Sequence, residues 1–398
     1  MADSDFLAWP FFEPWHRDWA TEVETWAARH AEALTDHDDV DRSTRNLARA
    51  MGQAGLLRRA APEDGRLDVR ALCIAREILA RYSGLADFAF AMQGLGTGAV
   101  SLFGDELMKR RILPPTRAGV SLAAFALSEA EAGSDVAALA TRAVADGNTH
   151  YRIDGEKTWI SNGGIAGTYV VFARTGEAPG AKGLSAFLVP GDAPGLTVAE
   201  RIEVTAPHPM ATLRFDGVRV PVTDRIGAPG QGFAVAMSVL DVFRATVGAA
   251  ALGFARRALE LTLDRAASRR LFGAPLFDQQ MTQAAIAESA VDVEASALLV
   301  YRAAWLKDSY LARSSRDGTP RVAREASMAK LHATEAAQRV VDRCVQIHGG
   351  LGVRRGNRAE ELYREVRALR IYEGASEVQR IIIARAEAKR HATSEGAT

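Results

Sequence analysis

Tyr151-Arg-Ile-Asp-Gly-Glu-Lys-Thr-Trp-Ile160 is a stretch of β-branched, aromatic and polar residues with one internal glycine. Three further short runs follow at residues 169–174, 184–189 and 213–221, and glycine and proline residues separate them. Such runs are typical of strands joined by tight turns. The region therefore predicts a small antiparallel β domain over residues 121–230.

Helical periodicity dominates the sequence on both sides of this β region. Residues 1–120 carry Leu, Ala, Arg and Glu at three- and four-residue spacing, which predicts an N-terminal α-helical domain. After residue 230 the same periodicity returns in long segments, which predict a C-terminal four-helix bundle over residues 231–398. The expected helices are residues 232–266, 279–312, 319–348 and 376–390. The predicted fold class is therefore α+β, with an all-α domain, a β domain and an α-helical bundle in that order.

The bundle helices carry further signals in their sequences. Thr319 is a suitable N-cap for the third helix, Pro320 fits its first helical position, and Gly349 lies just past its end. The first helix is apolar almost all round, so we expect it at the centre of the bundle. Its longest apolar stretch, residues 245–255, falls well short of the ~20 residues that a membrane-spanning helix needs.

Composition and charge argue against several functional classes. Among the 398 residues, Lys plus Arg and Asp plus Glu both number 49, so no global field attracts nucleic acid or an anionic membrane. The N-terminal residues show no export signal. The two cysteines, Cys73 and Cys344, lack C-x-x-C spacing, which fits a reducing, cytoplasmic location. The eight histidines show no metal-ligand spacing, so we expect no metal site.

Two segments of the β region carry residues suited to a flavin. Ala126-Leu-Ser-Glu-Ala-Glu-Ala-Gly-Ser-Asp135 and Glu156-Lys-Thr-Trp-Ile-Ser-Asn-Gly-Gly164 closely resemble signatures of the FAD-dependent acyl-CoA dehydrogenase family. An isoalloxazine ring needs a flat apolar wall and donors at its edge, and Trp159 and Ser161 supply these two kinds of group. The resemblance implies that the Ser161 hydroxyl lies near flavin N5. It assigns to the cofactor Phe125, Leu127, Ser128, Gly133, Ser134, Trp159, Ile160 and Ser161, and Ser134 also to the substrate.

Two segments of the bundle resemble further cofactor contacts of that family. Arg269-Arg-Leu-Phe-Gly273, followed by Gln280, resembles an element that reaches the FAD pyrophosphate of a neighbouring subunit, where a guanidinium can donate two hydrogen bonds. Gln346-Ile-His-Gly-Gly350 resembles a segment near the adenosine half. The resemblance assigns to the cofactor Arg269, Phe272, Gln280, Gln346, Gly349 and Gly350. It also implies a homotetramer, built as a dimer of dimers.

The last motif, Ile371-Tyr-Glu-Gly-Ala-Ser-Glu-Val-Gln-Arg-Ile381, nearly reproduces the family's C-terminal signature, and Glu373 falls on the position of the catalytic carboxylate. Ser376 and Gln379 have capping-box spacing, which predicts a helix from Ser376 with Glu373 on the loop before it. The helix N-terminus favours the charged carboxylate, whereas burial favours the neutral form; we expect burial, completed by the ligand, to be the larger effect. The resemblance further assigns Ala375 and Glu377 to the cofactor and Gly374 to the substrate.

The first bundle helix bears on the assignment of the base. Some relatives carry their base there, but the matching position in this chain is Phe243, which cannot accept a proton. This strengthens the assignment to Glu373. Asp241 and Arg244 match residues near the CoA-binding cleft and are expected to bind substrate, although a structural ion pair at i, i+3 is an equally fair interpretation.

Each of these residues also has a simpler interpretation when its motif is ignored. Trp159 would be a core aromatic on a β face, Arg269 a solvated helix end and Gly349 a C-cap. Glu373 would be a first-turn acid that satisfies the helix dipole. The surrounding motifs favour the functional interpretation in each case.

The resemblance implies a reaction and a set of partners. Glu373 removes the α-proton of an acyl-CoA while the β-hydrogen leaves as hydride to flavin N5, which gives the trans-2-enoyl-CoA. The electron-transfer flavoprotein is the expected acceptor. Two alternatives stay open, a flavin-dependent monooxygenase or oxidase on the same fold and a non-catalytic subunit that binds flavin or acyl-CoA. Retention of Glu373 argues against the former, and the nearly complete motif set argues against the latter.

Overall fold

The computed structural model describes residues 5–313 and 322–395. These residues fall into two compact units. The helical unit comprises the described parts of Met1–Ala28, Val69–Gly84 and Asp241–Thr398, and the sheet unit comprises Arg29–Asp68 and Leu85–Leu240. The helices that lie within residues 1–120 therefore belong partly to each unit.

Helices and strands follow one another in the order that the sequence predicts, and the α+β fold class is confirmed. The helices of the described residues are α1 (Pro14–His30), α2 (Val40–Gln53), α3 (Val69–Tyr82), α4 (Gly84–Phe103), α5 (Glu106–Arg117), α6 (Gly232–Ser268), α7 (Gln280–Arg313), α8 (Ala323–His348), α9 (Arg358–Leu369) and α10 (Ser376–Glu395). The strands are β1 (Ala123–Ala126), β2 (Arg142–Asp146), β3 (His150–Ser161), β4 (Thr168–Arg174), β5 (Leu184–Pro190), β6 (Leu196–Arg201), β7 (Met210–Pro221), β8 (Arg225–Ile226), β9 (Arg270–Leu271) and β10 (Ala274–Pro275).

One eight-stranded sheet forms the centre of the sheet unit. Its strand order is β6-β7-β3-β2-β4-β5-β8, with β1 beside β4. Most neighbouring strands are antiparallel, while β1 pairs with β4 in parallel and β2 meets β4 in parallel at one residue pair. β4 and β5 are buried along nearly their whole length, which explains their uninterrupted apolar sequence. The four predicted runs coincide with β3, β4, β5 and β7.

The helical unit is built around α6, whose residues 241–256 are all buried. Two glycines of α6 allow close helix approach. A Cβ at Gly253 would lie 2.1 Å from the Glu77 carbonyl oxygen of α3, and a Cβ at Gly248 would lie 3.0 Å from the Val300 side chain of α7. This burial agrees with the central position predicted for the helix. Among the described residues, α6 alone is long and apolar enough to cross a membrane, but 89% of its most apolar window is buried, as in the core helix of a globular protein.

Three of the bundle helices begin at or within one residue of the predicted position, and one helix of the described residues was not predicted. α6 and α10 begin at the predicted residues 232 and 376, and α7 begins one residue late, at 280. Gly349 ends α8 with a φ of +63°. The predicted start of the third helix at Thr319 and Pro320 lies outside the described residues. The sequence patterns missed α9, which begins at Arg358 and is capped by Asn357, whose side chain accepts a hydrogen bond from the Ala359 N–H.

Candidate active site

Glu373 lies on a short connection before α10, as predicted, and this connection follows α9. A backbone hydrogen bond joins the two ends of this connection, since the Ser376 N–H donates to the Arg370 carbonyl oxygen at 3.0 Å. Glu373 adopts a left-handed conformation with a φ of +53°, and Gly374 follows with a φ of +95°. A left-handed conformation costs a non-glycine residue on the order of 1–2 kcal/mol, so surrounding contacts must hold it.

Lys330 of α8 supplies two of these contacts. Its ammonium group donates to the carbonyl oxygens of Tyr372 and Gly374, each at 2.5 Å, and the residue is only 1% exposed. Burial lowers the pKa of Lys330 to about 8. The Glu373 carboxylate opposes this shift, and the Arg244 guanidinium adds to it. A buried cation therefore lies in the electrostatic field of the predicted base.

Sequence patterns alone did not reveal Lys330, although the sequence contains a signal for it. Lys330 shares a face of α8 with Ala326, Ala333 and Ala337, which are buried. A lysine within a buried stripe of small residues needs polar partners, because a buried ammonium group without them is costly. The partners lie 42 and 44 residues further along the chain, and no local pattern identifies them.

Glu335, also on α8, fixes the two ends of the connection. Its carboxylate accepts a hydrogen bond of 2.7 Å from the Ser376 hydroxyl and pairs with Arg370 at 2.8 Å. Burial would raise the pKa of Glu335, but these partners lower it. The predicted start of a helix at Ser376 is confirmed, whereas the predicted capping box is wrong. The Ser376 hydroxyl donates to Glu335, and the Gln379 side chain donates to the Gly374 carbonyl oxygen at 2.8 Å, because both polar groups find better partners outside the helix end.

Asp241, Phe243 and Arg244 lie together on the buried part of α6. Arg244 donates to Asp241 at 2.6 Å, and both side chains are nearly fully buried. The structure thus contains the i, i+3 ion pair that was the alternative interpretation of these two residues, and their role in binding CoA stays a prediction. Phe243 is buried and offers no proton acceptor.

Trp159 has the most unusual environment among the predicted residues of the sheet unit. It lies at a register shift between Lys157 and Ile160, where β3 pairs with β7, and its φ is +60°. Trp159 is 57% exposed, whereas Ile160 beside it is buried. Ser161 follows at the end of β3 and is half-buried. A large aromatic side chain that a strained backbone holds at the surface is typical of a ligand contact.

The two segments that resemble flavin-binding signatures, residues 126–135 and 156–164, lie side by side in the sheet unit. The Thr158 N–H donates to the Ser128 carbonyl oxygen at 3.0 Å. The buried Lys157 ammonium donates to the Leu127 carbonyl oxygen at 3.0 Å and to the Glu129 carboxylate at 2.7 Å. These bonds attach the segment that contains Leu127 and Ser128 to β3.

Glu129 anchors the far end of the same segment. Its carboxylate also accepts hydrogen bonds from the N–H groups of Ala140 at 2.6 Å and Thr141 at 3.0 Å. Burial would raise the pKa of Glu129, but Lys157 and these backbone donors lower it. Burial lowers the pKa of Lys157 to about 8, although Glu129 opposes this shift. Lys157 and Glu129 therefore form a closed, buried ion pair.

The other predicted residues of the sheet unit lie on β1 and the loop after it. Gly133 and Ser134 are exposed on that loop. A Cβ at Gly133 would meet no atom within 4 Å, so open surface lies beside this glycine. Phe125 on β1 is half-buried and packs against Phe172 with ring centroids 4.9 Å apart.

In the helical unit, Arg269, Phe272 and Gln280 lie on or next to the β9–β10 hairpin, and all three are exposed. Phe272 is 89% exposed and has a left-handed φ of +52°. It therefore repeats the combination of exposure and strain that is found at Trp159.

The end of α8 and the start of α10 carry the rest of the predicted cofactor residues. Gln346, Gly349 and Gly350 are exposed at the end of α8, Ala375 is half-buried, and Glu377 is exposed on the first turn of α10. Within residues 5–313 and 322–395, no group of three or more His, Cys, Asp or Glu side chains could hold a metal ion.

Comparisons with known proteins match the whole architecture. Three domain models of acyl-CoA dehydrogenase match in order, the N-terminal domain at residues 13–120, the middle domain at 124–218 and the C-terminal domain at 230–388. The mitochondrial short-chain specific acyl-CoA dehydrogenase of Bos taurus is 38% identical over 342 residues, which cover 84% of this chain and 80% of the relative.

Solved structures give the same result. Butyryl-CoA dehydrogenase from Megasphaera elsdenii is 30% identical with a TM-score of 0.84, and the match covers 94% of this chain and 98% of that one. An acyl-CoA dehydrogenase from Bacillus anthracis, solved with FAD, is 29% identical with a TM-score of 0.88, and the match covers 96% of this chain and 68% of that one. From the matching domain models, the identity to relatives and the shared fold, we conclude that this chain belongs to the acyl-CoA dehydrogenase family of FAD-dependent oxidoreductases.

Proposed function

We propose that this enzyme converts an acyl-CoA thioester to the trans-2-enoyl-CoA, with Glu373 as the base that removes the α-proton. The observation that carries the proposal is the conformation of the Glu373 connection. A half-buried carboxylate is held at a φ of +53°, and Lys330 and Glu335 of α8 anchor the backbone on either side of it. Backbone strain that is over-determined by its surroundings is typical of functional positions.

The chemistry asks two things of this connection. The Glu373 carboxylate takes the α-proton, and the β-hydrogen leaves with its electron pair, so that a double bond forms between the two carbons. Negative charge develops on the thioester oxygen as the proton leaves, and a fixed N–H donor stabilises such charge. We propose the Glu373 backbone N–H as one such donor, and a ribityl hydroxyl of the flavin, when bound, as another. FAD, when bound, supplies the hydride acceptor that the side chains of this chain lack.

The residues that we assign to FAD suit its two chemically distinct parts. Trp159 offers an exposed flat apolar surface to the ring system, and Ser161 offers a hydroxyl beside it. The exposed Arg269 can donate two hydrogen bonds to a pyrophosphate, and Phe272 adds an exposed ring near it in sequence. We infer that the second group serves the cofactor of a neighbouring subunit in a homotetramer.

The substrate and the acceptor follow from the same proposal. Butyryl-CoA is the first substrate to test, because the bovine relative is named short-chain specific and a solved relative is named butyryl-CoA dehydrogenase. We propose Asp241, Arg244, Ser134 and Gly374 as residues that contact the thioester ligand. We propose electron-transfer flavoprotein as the acceptor and the cytoplasm as the location.

The decisive experiment is anaerobic addition of saturated acyl-CoAs to the purified yellow holoenzyme, starting with butyryl-CoA and continuing with longer and branched chains. We expect the flavin absorbance to bleach and the trans-2-enoyl-CoA to form in equal amount. If no thioester bleaches the flavin and NAD(P)H drives oxygen uptake, the enzyme is a monooxygenase or oxidase. If neither occurs, the chain is a binding subunit and the proposal is wrong.

A further inference from the structure

The Lys330 ammonium lies in an unusual setting for a buried charge. Its hydrogen-bond partners are two neutral carbonyl groups, those of Tyr372 and Gly374, rather than a carboxylate. The buried Lys157, by contrast, donates directly to the carboxylate of Glu129. Burying an ammonium group costs several kcal/mol unless other groups compensate for it, so the charge of Lys330 needs an explanation.

The two carbonyl groups belong to the residues immediately before and after Glu373. One ammonium group therefore fixes both peptide units that flank the left-handed residue. The Gln379 side chain adds a second donor to the Gly374 carbonyl oxygen at 2.8 Å. With the backbone fixed on both sides, the direction of the Glu373 side chain is restricted to its own rotamers.

Lys330 and Glu373 also interact electrostatically. The Glu373 carboxylate favours the protonated form of Lys330, and by reciprocity the ammonium favours the ionised form of Glu373. Arg244 of α6 adds positive charge near Lys330 and is paired with Asp241.

We propose that Lys330 is a positioning residue for Glu373, which fixes the direction of this carboxylate through the two flanking carbonyl groups and keeps it ionised until it takes the α-proton. The proposal rests on the assignment of Glu373 as the base. It adds a role for a residue that does not itself touch the reacting atoms.

The proposal has a consequence for the dependence of the reaction on pH. Glu373 must be ionised to act as a base, so flavin reduction falls on the acid side as the carboxylate becomes protonated. Without the ammonium, the carboxylate is easier to protonate, and this acid limb moves to higher pH. The charged groups that bear on this pH dependence are Glu373, Arg244 and Arg244's partner Asp241. Glu335 and its partner Arg370 are the charged pair at the ends of the Glu373 connection. Above pH 8 the neutral amine of Lys330 keeps two N–H donors, so it can still donate to both carbonyl groups after it has lost its charge.

Three variants separate the two parts of this role. Lys330→Met removes the charge and the donors, while Lys330→Gln, whose side chain is as long as that of methionine, removes the charge but keeps N–H donors. Ser376→Ala breaks another anchor of the same connection, the bond to Glu335, without changing a charge. Flavin reduction of each holoenzyme by saturating butyryl-CoA is followed anaerobically from acid pH up to pH 8, and flavin content and circular dichroism check the fold.

We expect the acid limb to rise by about one pH unit or more in both Lys330 variants and to stay in place in Ser376→Ala. The rate on the plateau should fall about 10²-fold in Lys330→Met and less in Lys330→Gln. Deuterium uptake at the α-carbon of butyryl-CoA, measured with pre-reduced holoenzyme in D2O, should follow the same pattern without hydride transfer.

An acid limb that coincides with that of the wild type in both Lys330 variants overturns the proposal, however slow the variants are. If Lys330→Met does not fold, Lys330→Gln carries the comparison. If butyryl-CoA and the other thioesters fail to bleach the wild-type flavin, the proposed function is wrong and the role of Lys330 falls with it. If the wild type is bleached and only the pH profiles disagree with expectation, the inference alone is wrong.

Discussion

Trp159 of the sheet unit and Glu373 of the helical unit share a rare backbone conformation but are held in different ways. Their φ angles are +60° and +53°. Trp159 lies in a strand and is mostly exposed, whereas Glu373 lies on a connection and is half-buried. A buried lysine is close to each of them, since Lys157 lies two residues before Trp159 and Lys330 bonds to both neighbours of Glu373.

The partners of the two lysines explain the difference. Lys157 donates to the Glu129 carboxylate, so the two charges compensate each other and hold a segment of backbone beside β3. Lys330 donates to neutral carbonyl groups, so its charge acts on Glu373. In the function that we propose, the first arrangement presents a surface to a ligand, and the second controls the base. The strained residues Trp159 and Glu373 motivate this assignment, and the partners of the two buried lysines distinguish the two roles.

The strongest test of this comparison is Glu373→Gln, because it removes the reacting group and keeps the shape of the connection. We expect the rate of flavin reduction by butyryl-CoA to fall by about 10⁴-fold while the purified protein keeps its flavin. Anaerobic stopped-flow absorbance measures the rate. Normal turnover by this variant would show that Glu373 is not the base.

Lys157→Met should have the largest effect on stability. It leaves the Glu129 carboxylate, which is 10% exposed, without its cation, and breaking a buried pair in this way costs about 3–5 kcal/mol. Urea unfolding followed by circular dichroism measures the loss. The double variant Lys157→Met/Glu129→Gln removes the uncompensated charge and should recover part of it. Equal losses in the single and double variants would contradict the description of a closed ion pair.

Trp159→Ala tests the ligand surface of the sheet unit. Loss of the indole should weaken FAD binding by about 10²-fold, which corresponds to burial of one large side chain by a ligand. It should change the unfolding free energy of the apoprotein little, because Trp159 is 57% exposed. Val144→Ala, on the neighbouring strand β2 and 52% exposed, is the matched control and should bind FAD normally. Titration of the apoprotein with FAD, followed by flavin fluorescence, decides between these outcomes.

Gly374→Ala tests how tightly the Glu373 connection is specified. The substitution meets a φ of +95°, and the new Cβ would lie 2.5 Å from the Gln379 amide nitrogen, which must move and lose its hydrogen bond to the Gly374 carbonyl oxygen. We expect a loss of about 2 kcal/mol in urea unfolding. Gly176→Ala has a φ of +85° but no atom within 4 Å, so it isolates the backbone strain and should cost about half as much. Identical losses would mean that the Gln379 contact contributes nothing.

Proton binding by the two buried lysines provides a further test. The pKa of Lys157 and of Lys330 is about 8 in the folded protein, against an ordinary value of 10.5 in the unfolded chain. The unfolded chain therefore binds more protons between pH 8 and pH 10.5. Both lysines therefore make the unfolding free energy rise as the pH increases from 8 to 10.5. Lys157→Met and Lys330→Met should each reduce this dependence by up to about one proton, measured by urea unfolding at a series of pH values. An unchanged dependence in both variants would contradict the lowered pKa values.

Local patterns were sufficient for most of the fold. The short β-branched and aromatic runs became β3, β4, β5 and β7, and the long periodic segments became helices of the bundle, because each pattern follows from how the element buries its own side chains. α9 was missed although Ala359, Leu362, Val366 and Leu369 recur at three- and four-residue spacing and are buried, because the segment is shorter than the other bundle helices and lies between two motifs that were interpreted as loops.

For the candidate site too, local signals predicted some features correctly and others wrongly. The motifs placed Glu373 on the loop before α10 and Trp159 on β3, because both positions follow from signals within about ten residues. The capping box between Ser376 and Gln379 was predicted wrongly because the N–H groups that it needs have other acceptors: the Gln379 N–H donates to the Ala375 carbonyl oxygen and the Ser376 N–H to that of Arg370. The Ser376 hydroxyl donates to Glu335, 41 residues earlier in the chain, and local spacing cannot show so distant a partner.

The sequence by itself determined the family, the order of helices and strands and the position of the carboxylate, because motifs and periodicity are properties of neighbouring residues. Only the tertiary structure decided how that carboxylate is held. Lys330 bonds to the two neighbours of the left-handed Glu373, and Glu335 bonds to Ser376, so these contacts join segments about 40 residues apart. A buried lysine has its effect through the groups that packing brings to it, and those groups are fixed only when the helices assemble.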